Sequence, residues 1–331
     1  MSDDVAIEIA ALRLMTRGAY DLQKLRVQVG LRLVANFRAK LHEEEPEGKD
    51  EDEEKEDELS EEALKLIVQL RASYRRLTDG VARNRTLPAK EGFHGDELIS
   101  TFTELTLVDQ YIRLEAQEAL HFGQMGSVLD RIPLYTTYLR DIRGIGPAMA
   151  AVLISYLKPE LADHISSYWR YAGLDVGPDG LGRSRRAEHL VEYEYTDKNG
   201  NLKTRMGVTY NPFLKAKLMG VLAGSFHRSK NVKWVLVYNN YKHRISTDPM
   251  KEKVTLAEYK RRHKAEEPTE HIWPPGRIHN ASNRYMIKMF LQELWTYWRE
   301  LEGLSVTPSY HEAIQGQAHT PSTDERRASL Q

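Results

Sequence analysis

Cysteine is absent from the chain, which excludes disulfides, thiolate zinc sites and a cysteine nucleophile and fits a reducing compartment. No apolar run approaches the ~20 residues that cross a bilayer. Met1 is not followed by a basic-then-apolar leader. These absences predict a cytoplasmic protein with no membrane partner. Catalytic signatures are missing as well: there is no Walker loop, no His-Glu-x-x-His and no Gly-x-Ser-x-Gly. The 12 histidines are scattered, and His164, His189, His227 and His279 read as surface or helix-end residues rather than ligands. Two-metal phosphoryl transfer needs carboxylates on strand ends around a shared site. Ahead of Leu139 the carboxylates sit in an acidic block or on amphipathic helices. No metal or cofactor site is therefore expected in this chain, and Mg2+ would enter only with carboxylates from a catalytic partner.

Acidic residues are missing over one long tract, Met206 to Thr247, which holds Lys215, Lys217, Arg228, Lys230, Lys233, Lys242 and Arg244. Between them stand Tyr210, Phe213, His227, Trp234, Tyr238 and Tyr241. One-signed charge on helices repels itself, so an anionic partner is the economical explanation. A basic face neutralised by the acidic block is the alternative. That block, Glu43 to Glu58, holds 12 acidic residues and 2 lysines, so it carries −10 of a net −1. The rest has 36 acidic against 45 basic residues, or +9. The block reads as a disordered, solvated loop able to compete for the basic surface.

Apolar spacing predicts a mostly α fold: a helical bundle or coiled coil, then a helical domain containing a helix–hairpin–helix with one β-hairpin inserted. Residues 1–95 read as N-terminal helices around the acidic loop 43–58, with self-association as their expected role. The first helix spans 1–42, and Ser60 before Glu61 and Glu62 caps the second. Residues 96–133 hold a third long helix over Asp96–Leu120. A fourth, from about Tyr135, leads into the domain 134–304, and 305–331 is a polar tail. Val191, Tyr193 and Tyr195, a turn at Asp197–Asn201, then Leu202, Thr204, Met206 and Val208 spell a β-hairpin. Helices follow Asn211-Pro212 and Asn231, with a further one over Leu256–Glu267 and a long last one over Asn280–Gly303. In the last, Tyr285, Met289, Trp295 and Trp298 read as core.

The domain centres on Arg143-Gly144-Ile145-Gly146-Pro147. Gly144 and Gly146 suit a tight turn, and Pro147 the first position of a helix over Ala148–Tyr156. Free N–H groups there attract a phosphate, with Arg140 and Arg143 beside them. The alternative is an αα-corner whose glycines only turn the chain. Downstream, Asp175–Arg186 is a glycine-rich loop ending Arg183-Ser184-Arg185-Arg186. Ser184 is the candidate nucleophile, with arginines to bind phosphate and no visible base. A basic loop that only contacts a backbone is the alternative.

From about Thr101 to Leu304 the order of features resembles the C-terminal half of the DEDD-type insertion-sequence transposases, the bridge-RNA-guided recombinases. The matching pieces are the helix Asp96–Leu120, Leu139–Pro147 with Gly144-Ile145-Gly146-Pro147, and Ala150-Ala151-Val152-Leu153. Ser167-Tyr168-Trp169-Arg170-Tyr171-Ala172-Gly173-Leu174, Asn211–Leu218 and Tyr238–Arg244 look like the family's Ala-Gly-Leu segment, its basic helix and its Tyr-x-x-x-Arg segment. The resemblance implies a DNA-binding protein of transposition and recombination, partnered by DNA or structured RNA. With the residue readings above, the expected nucleic-acid contacts are Arg143, Gly144, Gly146, Arg183, Arg185, Arg186, Lys215, Lys217, Arg228, Lys230, Lys242 and Arg244, with Ser184 as the candidate serine nucleophile. Two departures stand out. The family's RuvC-like domain with its four metal-binding acids has no counterpart in residues 1–95. Its serine precedes a glycine, whereas Ser184 precedes Arg185. If the chain catalyses, another chain supplies the carboxylates. Otherwise it is a transposase-derived accessory or regulatory binder. A structural or protein-interaction bundle with no nucleic-acid role is the third reading.

Overall fold

The computed structural model describes residues 3–41, 59–79, 87–177, 180–265 and 271–308. The acidic block Glu43–Glu58 and nearly all of the C-terminal tail lie outside the described residues. Those described are mostly helical, with one two-stranded antiparallel sheet, as the apolar spacing predicts. No described helix is long and apolar enough to cross a membrane.

The chain divides into two compact units, Leu14–Val128 and Met1–Arg13 with Leu129–Gln331. In the first, α1 (Asp3–Leu41), α2 (Glu61–Thr78) and α3 (Phe102–Leu129) close one core around Phe37, Ile67, Leu70, Leu105 and Tyr111. Ser60 caps α2 by accepting the Ala63 N–H at 3.2 Å. The third helix starts at Phe102, not Asp96, and runs past Leu120 to Leu129. Asp96 Oδ1 instead accepts the N–H groups of Leu98 and Ile99 at 3.0 and 2.8 Å and holds a turn. Thr101 and Glu104 then exchange side-chain-to-backbone bonds that open the helix as a capping box. Arg26 pairs with Glu118 and Lys40 with Glu104 inside this unit.

The second unit runs through α4 (Pro133–Thr137), a 3-10 turn at Leu139–Asp141, α5 (Pro147–Tyr156) and α6 (Ile165–Tyr171). The single helix expected from Tyr135 is thus broken into a short helix and a turn. Strands β1 (Val191–Thr196) and β2 (Leu202–Gly207) pair Val191 with Gly207 through Thr196 with Leu202. Asp197 ties their turn by accepting the N–H groups of Asn199 and Asn201. Next come α7 (Pro212–Ala216), a π-helical segment Lys217–Leu222, α8 (Ala223–Arg228), α9 (Val232–Thr247), α10 (Leu256–Lys264) and α11 (Pro275–Leu301). α11 starts at Pro275 rather than Asn280 and forms the spine: Met286, Ile287, Phe290, Leu291, Leu294, Trp295 and Trp298 are all buried. Trp295 donates its indole N–H to the Ala162 carbonyl at 2.8 Å. Both tryptophans are core, as expected. Tyr285 and Met289 are only half-buried, and they line a cleft instead.

Candidate nucleic-acid interface

The hairpin turn is built inward. Ile142 and Ile145 are buried, and Gly144 takes a φ of +101°, a backbone that L side chains rarely adopt. Ser225 Oγ donates to the Gly144 carbonyl at 2.7 Å, and Asn231 Nδ2 donates to the Arg143 carbonyl at 2.7 Å. A Cβ on Gly144 would stand 2.7 Å from Ser229 Oγ and 3.0 Å from the Phe226 ring. The close approach expected of this glycine is therefore to the end of α8, not to an outside ligand. Gly146, the N-cap of α5, is exposed with nothing within 4 Å of such a Cβ.

Where α8 ends, the Lys230 N–H bonds to the His227 carbonyl at 3.1 Å and the Asn231 N–H to the Phe226 carbonyl at 3.0 Å. This is a Schellman end, and the left-handed position that normally holds glycine holds Lys230, at φ +52°. A side chain there costs about 1 kcal/mol relative to glycine. Both hairpin and helix end contribute to one cleft of about 180 Å³, lined by Asp141, Arg143, Lys230, Lys233 and Glu293 among others. Lys233 pairs with Glu293 at 2.6 Å, and Glu293 also accepts the Tyr138 hydroxyl at 3.0 Å. Arg143 and Lys230 are exposed and have no carboxylate partner among the described residues.

Lys233, Trp234 and Glu293 also line a second cleft of about 380 Å³ between α9 and α11. In it the Tyr241 and Tyr285 rings stack at 4.2 Å with 13° between planes. The Arg244 guanidinium lies 4.7 Å from one ring centre and 5.5 Å from the other. The two clefts thus adjoin at Lys233, Trp234 and Glu293, one beside the hairpin and the other reaching Arg244 near the end of α9. No family model, curated protein or solved structure matches this chain. Its functional reading rests on geometry.

Not every predicted contact reaches that surface. Lys217 is 3% exposed, its ammonium 5.4 Å from the Phe213 ring centre, so it belongs to the interior. Arg228 and Lys242 are exposed but line neither cleft; Lys242 lies over the Tyr238 ring. Lys215 is half-buried, donates to the Arg183 carbonyl and sits 4.6 Å over the Tyr210 ring. Around it gather Arg284, whose guanidinium occupies the space a Cβ on Gly182 would need, and Asp175, which pairs with Arg183 at 3.1 Å. Lys288 stands 4.2 Å over the Trp169 ring.

Burial, with Arg284 nearby, pulls the Lys215 ammonium down to about 8 from 10.5. The unfolded chain then binds more protons than the folded one between these values. Stability therefore rises with pH across that window and is lost again as pH falls through 8. Lys215→Met is expected to flatten that rise and to stabilise the fold at neutral pH. Urea midpoints measured from pH 7 to 10.5 check this, and parallel curves for variant and wild type refute it.

Ser184 has a neighbour the sequence concealed. Its N–H donates to His189 Nδ1 at 3.0 Å, and its Oγ lies 3.1 Å from that nitrogen. Arg186 Nε donates to Ser184 Oγ at 3.0 Å. Nδ1 accepts the amide proton, so its one lone pair faces Ser184, and the hydroxyl reaches that nitrogen only by sharing it. His189 is 1% exposed and so not a surface residue, although it does end a 3-10 turn as the helix-end alternative has it, and an imidazole stands beside the serine. Arg185 and Arg186 are exposed. His227, in the last turn of α8, and the exposed His279 are helix-end and surface residues as expected, and they share a network: Asn283 bridges them at 2.9 Å on each side, and His279 meets the Tyr238 hydroxyl at 2.7 Å. Among the described residues no group of three or more His, Asp or Glu could hold a metal.

Proposed function

We propose that this chain is a nucleic-acid-binding protein of transposase type, gripping the backbone of DNA or structured RNA along the hairpin cleft. The observation that carries this reading is the pairing of Arg143 and Lys230 in one cleft, both exposed and neither in an ion pair with a described carboxylate. Lys230 adds weight because it holds a strained backbone position that a glycine would fill more cheaply. The rival reading is a non-catalytic accessory binder. In the transposase reading Ser184 is the nucleophile, with His189 as its base, and Mg2+ comes with carboxylates of another chain. The N-terminal helices then serve self-association.

The test is a gel shift on duplex DNA and on structured RNA at two salt concentrations. Affinity is expected to fall steeply with salt, each phosphate contact adding about 0.9 to the logarithmic slope. Absence of binding at low salt removes both readings and leaves a bundle without a nucleic-acid role.

A further inference from the structure

The second cleft carries more than charge. Tyr241 and Tyr285 are half-buried, unlike the wholly buried tryptophans of α11; their rings stack on each other with Arg244 alongside, so an incoming ring would meet an outer face or the edges of the pair and the guanidinium. Arg244 is exposed and has no carboxylate partner among the described residues. The amide of Asn240, also exposed, adds a donor and an acceptor at the lining. A volume of about 380 Å³ is that of a small-molecule site, which a duplex cannot enter. This cleft adjoins the one that holds Arg143 and Lys230, sharing Lys233, Trp234 and Glu293 with it.

We infer that the α9–α11 cleft receives one unstacked nucleobase of a single strand, with the attached phosphates running toward Arg143 and Lys230. This rests on the nucleic-acid reading above and adds the kind of strand it engages. The chemistry is that of base recognition without pairing: every base has a π face for the tyrosine pair, the guanidinium stacks as well as attracts, and an amide meets the exposed edge. A purely backbone-binding surface needs none of these.

The experiment uses the full chain, a twelve-nucleotide single strand carrying 2-aminopurine, and the matching duplex, all at low salt. Wild type is expected to bind the single strand with a change in 2-aminopurine emission that reports stacking. Tyr285→Ala should weaken single-strand binding roughly 5- to 100-fold and remove that signal, with duplex affinity unchanged. Tyr285→Phe should behave as wild type. If Tyr285→Ala fails to fold by circular dichroism, Arg244→Gln at an exposed position takes its place, with several-fold weakening on the single strand alone. Equal effects on both nucleic acids, or no effect on either, overturn the base site and leave backbone binding standing. No binding of either by wild type overturns the nucleic-acid reading and this inference together.

Discussion

Arg143→Ala combined with Lys230→Gly is expected to lower affinity for duplex DNA or structured RNA roughly 10- to 100-fold at moderate salt, and to flatten the salt slope by about two. The two cations share a cleft and form no ion pair with a described carboxylate, although Asp141 and Glu293 also line it, so removing them leaves no buried charge orphaned. Lys233 is spared because its partner Glu293 is nearly buried and would be stranded. Glycine is the replacement at position 230 because φ there is +52°. That change removes a charge and relaxes the backbone at once, so Lys230→Gly alone should raise stability by about 0.5–1 kcal/mol while it weakens binding. A change that stabilises the fold and damages binding cannot be explained as misfolding. Unchanged affinity and salt slope in the double variant would remove the hairpin cleft as a backbone site. Thermal melts and anisotropy on the same samples decide it.

Gly144→Ala is expected to cost about 2–4 kcal/mol of stability in the unit that contains it, and nucleic-acid binding with it. Two separate penalties add. A φ of +101° strains any side chain, and the new methyl would meet Ser229 Oγ at 2.7 Å, the Phe226 ring at 3.0 Å and the Ser225 carbonyl at 3.3 Å. Ser229 Oγ can rotate away, but Phe226 is wholly buried and the carbonyl is backbone of α8. The displaced turn would also lose the bonds from Ser225 and Asn231 that aim Arg143. Gly146→Ala is the control, since φ there is −88° and no neighbour lies within 4 Å. Urea denaturation should separate the two alanines clearly. A Gly144→Ala midpoint equal to that of Gly146→Ala would show that the turn tolerates a side chain.

Much of the local structure was legible because local chemistry produces it. Ser60 caps α2, Asn211 and Asn231 each accept an N–H three residues on, and Asp197 closes the strand turn, all by bonds between near neighbours. Errors arose where a side chain had two uses. Asp96 looked like the start of α3 and instead holds a turn against Ile99, while Thr101 and Glu104 make the true cap. Lys217 looked like one more cation of a basic tract, but an ammonium can also lie under an aromatic ring, and Phe213 supplies that ring. His189 showed no period or motif linking it to Ser184, since loop geometry alone brings the two within 3.1 Å.

The sequence by itself determined the helical class, the strand hairpin, the glycine turn and the long tract free of acids, because periodicity, capping and charge composition act over a few residues. Only the tertiary structure decided which cations share a surface. Arg143 and Lys230 line one cleft because Ser225 and Asn231 bind the hairpin carbonyls, and Tyr241 meets Tyr285 because α9 packs on α11. Those contacts join residues far apart in the chain, and long-range packing leaves no mark on the spacing of neighbours.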